Sequence, residues 1–122
     1  MAATAGATGS AELVVGEADT AIAAGSGDVP VLATPRVLAL AEQATLGALA
    51  GALAPEETSV GARVELDHLR PSFVGARVLA RATLTEVHGR RLTFAVEVTE
   101  GAEPVARATV TRVVVQRAAF TR

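Results

Sequence analysis

Three polar residues, Thr34, Glu42 and His68, stand eight and then twenty-six positions apart. Two of them occupy places where the surrounding periodicity calls for apolar side chains. Glu42 lies four residues from both Leu38 and Leu46, and an unpaired carboxylate emerging among leucines costs several kcal/mol, so it requires a partner. His68 ends the apolar phase Val60, Ala62, Val64, Leu66 of an alternating segment. An imidazole there, beside a carboxylate on a helix packed over the same face, would make an acid/base pair whose members titrate nearer neutrality. Thr34 precedes Pro35, the pattern of an N-cap followed by proline at the first helical position. Free amides and the positive end of a helix dipole at that point could polarise a carbonyl or hold an oxyanion. Each residue also has a non-catalytic reading: a plain cap for Thr34, a hydrogen-bonded strand-end histidine for His68, a helix turned to let Glu42 reach water. Taken together, they describe a site better than they describe three coincidences.

The elements that must position them follow from periodicity. The run PRVLALAEQATLGALAGAL, Pro35 to Leu53, predicts one long helix with Leu38, Thr45, Leu46, Leu49 and Leu53 on one face. A second face, Val37, Leu40, Ala41, Ala44, Gly47, Ala48 and Gly51, is small enough for a sheet to wrap closely, and Ala54-Pro55 is the expected stop. Residues 1–10 (MAATAGATGS) read as a disordered tail, Ala11 to Gly16 as a first strand, and Glu17 to Ala33, with Gly25, Gly27 and Pro30, as an irregular connection. That connection lacks GxxxxGK[ST], so it is no phosphate loop. Four strands then follow, at about 58–68, 76–87, 91–99 and 104–116. The last changes phase near Arg112, which suggests a bulge. His88 falls in a tight turn, exposed and without a role. One helix after a first strand, then an antiparallel meander, predicts an α+β hot-dog fold over residues 11–122, a long helix wrapped by a curved antiparallel sheet.

Composition removes whole classes of chemistry. At 122 residues the chain makes one domain, half of it apolar, with three Phe and no Trp or Tyr. No cysteine means no disulfide, thiolate ligand or thiol nucleophile. Two histidines cannot build a multi-histidine centre, so no metal is expected, nor any other cofactor. Every basic residue is arginine, which excludes a lysine Schiff base. With net charge −2, scattered arginines and few aromatics, nucleic-acid binding is not expected. No apolar stretch approaches the roughly 18 residues of a membrane span and no secretory signal is evident, so a soluble cytoplasmic protein is expected.

The runs VLATPRVLALAEQA, SVGARVELDHLRPSFVGARV and EVHGRRLTFAVEV resemble the hot-dog thioesterases related to fluoroacetyl-coenzyme A thioesterase. The resemblance covers nearly all of the chain after residue 10, and its specific part is the Thr, Glu, His spacing. It implies hydrolysis of a small acyl thioester, of coenzyme A or an acyl carrier, by a homodimer or larger homo-oligomer. By the same resemblance Thr34 orients or polarises, Glu42 is base or nucleophile, and His68 assists protonation of the leaving thiolate. Gly61 matches a glycine lining the family's pocket, and Leu38 is an aliphatic candidate for the pocket wall. The phenylalanine gate associated with the fluoroacetyl-specific enzyme has no counterpart in Glu17 to Ala33, so a preference for fluoroacetyl is not implied. The alternatives are a non-catalytic hot-dog module that binds acyl-CoA or another ligand, and a hydratase. The hydratase would want a histidine near an acidic residue at the helix start, and the Glu17 to Ala33 segment has none.

Overall fold

The computed structural model describes residues 1–122. Five strands, β1 (Thr8–Val14), β2 (Glu57–His68), β3 (Arg77–His88), β4 (Arg91–Glu100) and β5 (Glu103–Gln116), form one antiparallel sheet in the order β1-β3-β4-β5-β2. A short helix α1 (Ala21–Ala24) precedes the single long helix α2 (Thr34–Ala48). The expected hot-dog architecture is present: α2 lies in the curve of the sheet.

Small side chains make that wrapping possible. Val37, Leu40, Ala41, Ala44 and Ala48 of α2 are buried against inward residues of the sheet, among them Val78, Ala80, Ala82 and Leu84 of β3, and Leu92, Phe94, Val96 and Val98 of β4. Phe94 is the only aromatic in this core. Backbones approach most closely at Gly9, where a Cβ would lie 2.2 Å from the Ala48 nitrogen. The leucine-bearing face is divided: Thr45 and Leu49 are buried, whereas Leu46 is exposed and Leu38 and Leu53 are half-buried.

Several boundaries differ from expectation. β1 begins at Thr8, and residues assigned to a disordered tail make hydrogen bonds, Ala2 N–H to Ala52 O and Gly6 N–H to Leu84 O. The helix ends at Ala48 rather than Leu53, because Gly51 takes a left-handed φ of 75° and the preceding amides tighten into shorter-range bonds. Its N-cap is Ala33, not Thr34, so Thr34 is already the first helical residue and Pro35 the second. The connection before α2 contains a 3₁₀ turn (Glu17–Asp19) and α1, and is tied down by bridges Thr20 to Leu32 and Val31 to Phe73. No helix is long and apolar enough to cross a membrane.

The expected phase change in β5 does not occur. Ala106, Ala108, Val110, Arg112 and Val114 stay in one buried phase, and the bulge lies across from them in β2. Gly61 opposes Arg112 and Arg63 opposes Thr111, leaving Ala62 as the extra residue. Val60 therefore does not share a face with Val64, Leu66 and His68. Ser59 and Gly61 do.

Candidate active site between the long helix and the edge strand

Thr34, Leu38 and Glu42 follow one another at four-residue intervals along α2, so they share a face over about 12 Å of helix. That face runs alongside β2, which travels in the opposite sense. The Thr34 hydroxyl lies 2.8 Å from Nδ1 of His68, at the end of β2. Two turns further along α2, Glu42 meets the other end of the strand: a Cβ on Gly61 would sit 2.3 Å from Glu42 Oε2. The half-buried Leu38 stands between the two polar ends. The bulge at Ala62 is what allows both ends of one strand to face the helix, since without the extra residue either Gly61 or His68 would point away.

The partners are not the expected ones. Glu42 and His68 do not hydrogen-bond each other; instead Oε2 of Glu42 accepts from Nη1 of Arg112 at 3.2 Å. Arg112 is nearly buried, with 8% of its side chain exposed, whereas the Glu42 side chain keeps 32%. Burial pushes the Arg112 pKa down and the neighbouring Glu42 carboxylate pushes it back up. A guanidinium remains charged through such a shift, so the pair is ionic. Sequence reasoning read Arg112 as the mark of a phase change, not as a partner for Glu42. The available signal was its even-numbered phase, shared with Ala106, Ala108, Val110 and Val114.

Burial lowers the pKa of His68 below 6.5, an effect partly offset by the Arg70 backbone. The ring is therefore neutral at pH 7, and its Nε2 is buried without a hydrogen-bond partner. When the Thr34 hydroxyl donates to Nδ1, the ring proton resides on Nε2, making that nitrogen a donor. Thr34 makes no capping hydrogen bond with its side chain. Of the amides in the first turn, Pro35 has none and Arg36 N–H is taken by Ala33 O, so the Thr34 N–H is the free donor there. A shallow cleft of about 330 Å³ opens beside Thr34 and His68, walled by Val31, Leu32, Leu69 and Pro71. Glu42, Leu38 and Gly61 lie outside it. The segment before α2 carries no aromatic residue of its own, but Phe73, directly across the bridge from Val31, is 65% exposed.

A five-stranded antiparallel sheet curled around one long helix defines the hot-dog fold. The family described as fluoroacetyl-CoA-specific thioesterase, FlK, matches residues 15–118, and the chain belongs to it. Among solved structures, the fluoroacetyl-CoA thioesterase FlK superposes with a TM-score of 0.89 at 28% identity, covering 96% of this chain and 91% of that one. A phenylalanine-to-alanine mutant of FlK in complex with fluoroacetate and CoA gives 0.89 at 27%, covering 97% and 99%. A hot-dog-like protein from Thermanaerovibrio acidaminovorans gives 0.85 at 25%, covering 95% and 86%. No curated protein matches the chain significantly.

Proposed function

We propose that this thioesterase hydrolyses a short acyl thioester of coenzyme A with Thr34, Glu42 and His68, in the cytoplasm and as a homodimer whose two copies share each site. The observation that carries the reading is the seam itself: a polar pair at either end of β2, Thr34 with His68 and Glu42 with Arg112. Glu42 Oε1 has no hydrogen-bond partner, so it is free to take a proton from water as the water oxygen attacks the thioester carbonyl carbon. The Thr34 amide and the start of α2 favour negative charge on the carbonyl oxygen. Collapse breaks the C–S bond, and the proton taken by Glu42 returns to the thiolate, the His68 imidazole held by Thr34 assisting that transfer. Direct attack by Glu42, giving an anhydride that water then opens, uses the same groups.

In one chain the two ends stand about 12 Å apart along α2, too far for Glu42 and His68 to act on one carbonyl. β2 is an edge strand whose outer side is unpaired. Two such edges pairing antiparallel about a two-fold axis that passes between Val64 and Glu65 would set the Gly61 end of one copy beside the His68 end of the other. Glu42 would then complete the partner's Thr34/His68 site, and Leu38 and Gly61 would line the shared pocket.

Complementation tests this. Glu42→Gln and His68→Ala should each lower kcat for acetyl-CoA at least about a hundredfold without unfolding the protein. Co-refolding the two inactive variants should restore activity, because each mixed dimer then holds one site with neither substitution. Mixtures as inactive as their components would show that sites are not shared, and Glu42→Gln with normal turnover would remove the carboxylate from the mechanism. Discrimination between fluoroacetyl and acetyl thioesters is expected to be weak, as competition between the two substrates would reveal.

A further inference from the structure

We infer that Ser59 is a positioning residue for the Glu42 carboxylate, acting through Arg112; the inference rests on the catalytic role proposed for Glu42. Three of the five guanidinium donors of Arg112 are accounted for, and two of these go to Ser59: Nε donates to its hydroxyl at 2.9 Å and Nη2 to its backbone carbonyl at 3.1 Å. A planar guanidinium held at two points by one residue cannot turn about its own axis. Nη1 is thereby aimed at Glu42 Oε2. At 3.2 Å this contact is longer than a typical charge-assisted bond, and it engages one carboxylate oxygen only. The arrangement orients the carboxylate while leaving its second oxygen unbound.

Local sequence explains why Ser59 can do this. It shares the inward phase with Gly61 on the near side of the bulge, where no side chain at 61 competes for the space filled by Glu42 Oε2. Arg112 comes from β5, directly opposite Gly61. The small pair Ser59 and Gly61 thus makes room for a buried cation and a carboxylate side by side. A side chain longer than that of serine or threonine at 59 would displace the guanidinium. An alanine would leave Nε without its acceptor.

Substitution separates positioning from packing. Ser59→Ala should lower kcat for acetyl-CoA about tenfold, with KM within about twofold and the melting temperature little changed. Ser59→Thr keeps the hydroxyl and should recover most of the rate. Arg112→Lys, which keeps the charge but cannot take both Ser59 acceptors and still reach Glu42, should lose kcat by at least as much as Ser59→Ala. In a Glu42→Gln background Ser59→Ala should cost nothing further. Ser59→Ala with an unchanged rate, or Ser59→Thr as slow as Ser59→Ala, would overturn the inference. If Glu42→Gln abolishes turnover while Ser59→Ala does not lower it, only the role of Ser59 fails. If Glu42→Gln stays active, the functional reading fails and the positioning role falls with it.

Discussion

Gly9 and Gly61 each press a strand against α2, and at both a side chain would collide with the helix, yet the collisions differ in kind. At Gly9 the atoms met are backbone: Ala48 N at 2.2 Å, Ala44 O and Gly47 C at 2.5 Å. At Gly61 the atom met at 2.3 Å is Oε2 of Glu42, the end of a flexible side chain. One glycine sets the distance between layers. The other leaves space for a charged group that has to be placed and kept partly wet. The end of the sheet at β1 fixes the helix, and the end at β2 positions what the helix presents.

Gly9→Ala should therefore have the largest effect, and on stability. No rotamer change relieves a Cβ against backbone, so α2 has to move off β1, at a cost of about 3 kcal/mol and roughly 10 °C in melting temperature. Thermal unfolding followed by circular dichroism measures it, and an unchanged melting point would mean the layers are not so close. Gly61→Ala should do the opposite. Glu42 can swing aside, so the fold survives within about 1 kcal/mol, while kcat for acetyl-CoA falls about a hundredfold as the carboxylate leaves its place beside Arg112. A stable, fully active Gly61→Ala enzyme would erase the distinction between the two glycines.

A pair of carboxylates sharpens the same contrast. Glu57, at the start of β2, is buried and saturated: its Oε1 accepts from Ala54 N–H at 3.1 Å and its Oε2 from Arg90 at 3.1 Å. The Ala54 amide foremost, then Arg90 and the amino terminus, hold its pKa below 4.5 against the opposing effect of burial. Its folded-state pKa being depressed, Glu57 contributes stability that is complete above the ordinary carboxylate value and is lost as pH falls below 4.5. Urea unfolding across that range should show wild-type stability declining with acid, and Glu57→Gln declining less steeply. Equal slopes would mean the carboxylate is not held as its partners indicate. Glu42 instead has one partner and an open oxygen, which is the arrangement the proposed reaction needs.

Sequence reasoning identified the fold because its signals are local: alternation in β3 and β4, a small-residue helix face, and turns at His88-Gly89 and Glu100-Gly101. It also singled out Glu42 and His68, since polar residues in apolar phases are visible without coordinates. What stayed hidden depends on pairing between distant segments. Ala62 is an ordinary residue until β5 is laid beside it, and only then is it the extra one that turns Ser59 and Gly61 toward the helix. Arg112 suggested a phase change because an arginine in an apolar phase looks misplaced. Its place is explained by Glu42, seventy residues away in the chain. The pairing of Thr34 with His68 was missed for a related reason: a Thr-Pro start suggests a cap, and nothing local says that the hydroxyl has a better partner across the seam.

The smallest effect expected is at Thr34, and it tests which end of the seam limits the reaction. Thr34→Val removes the hydroxyl that meets His68 Nδ1 while keeping the shape of the side chain and the free amide at the start of α2. Because that hydroxyl caps nothing, helix stability should hold, unlike the loss of about 1 kcal/mol that a true N-cap substitution brings. The imidazole, already disfavoured as a cation by burial, would stay neutral but lose the contact that fixes its orientation and its tautomer. Turnover of acetyl-CoA should fall about tenfold, KM should barely move, and Thr34→Ser should recover most of the loss. A drop as deep as that of Gly61→Ala would place the limiting step with the Thr34/His68 pair, whereas a lower melting point with normal turnover would return Thr34 to the role of a structural residue.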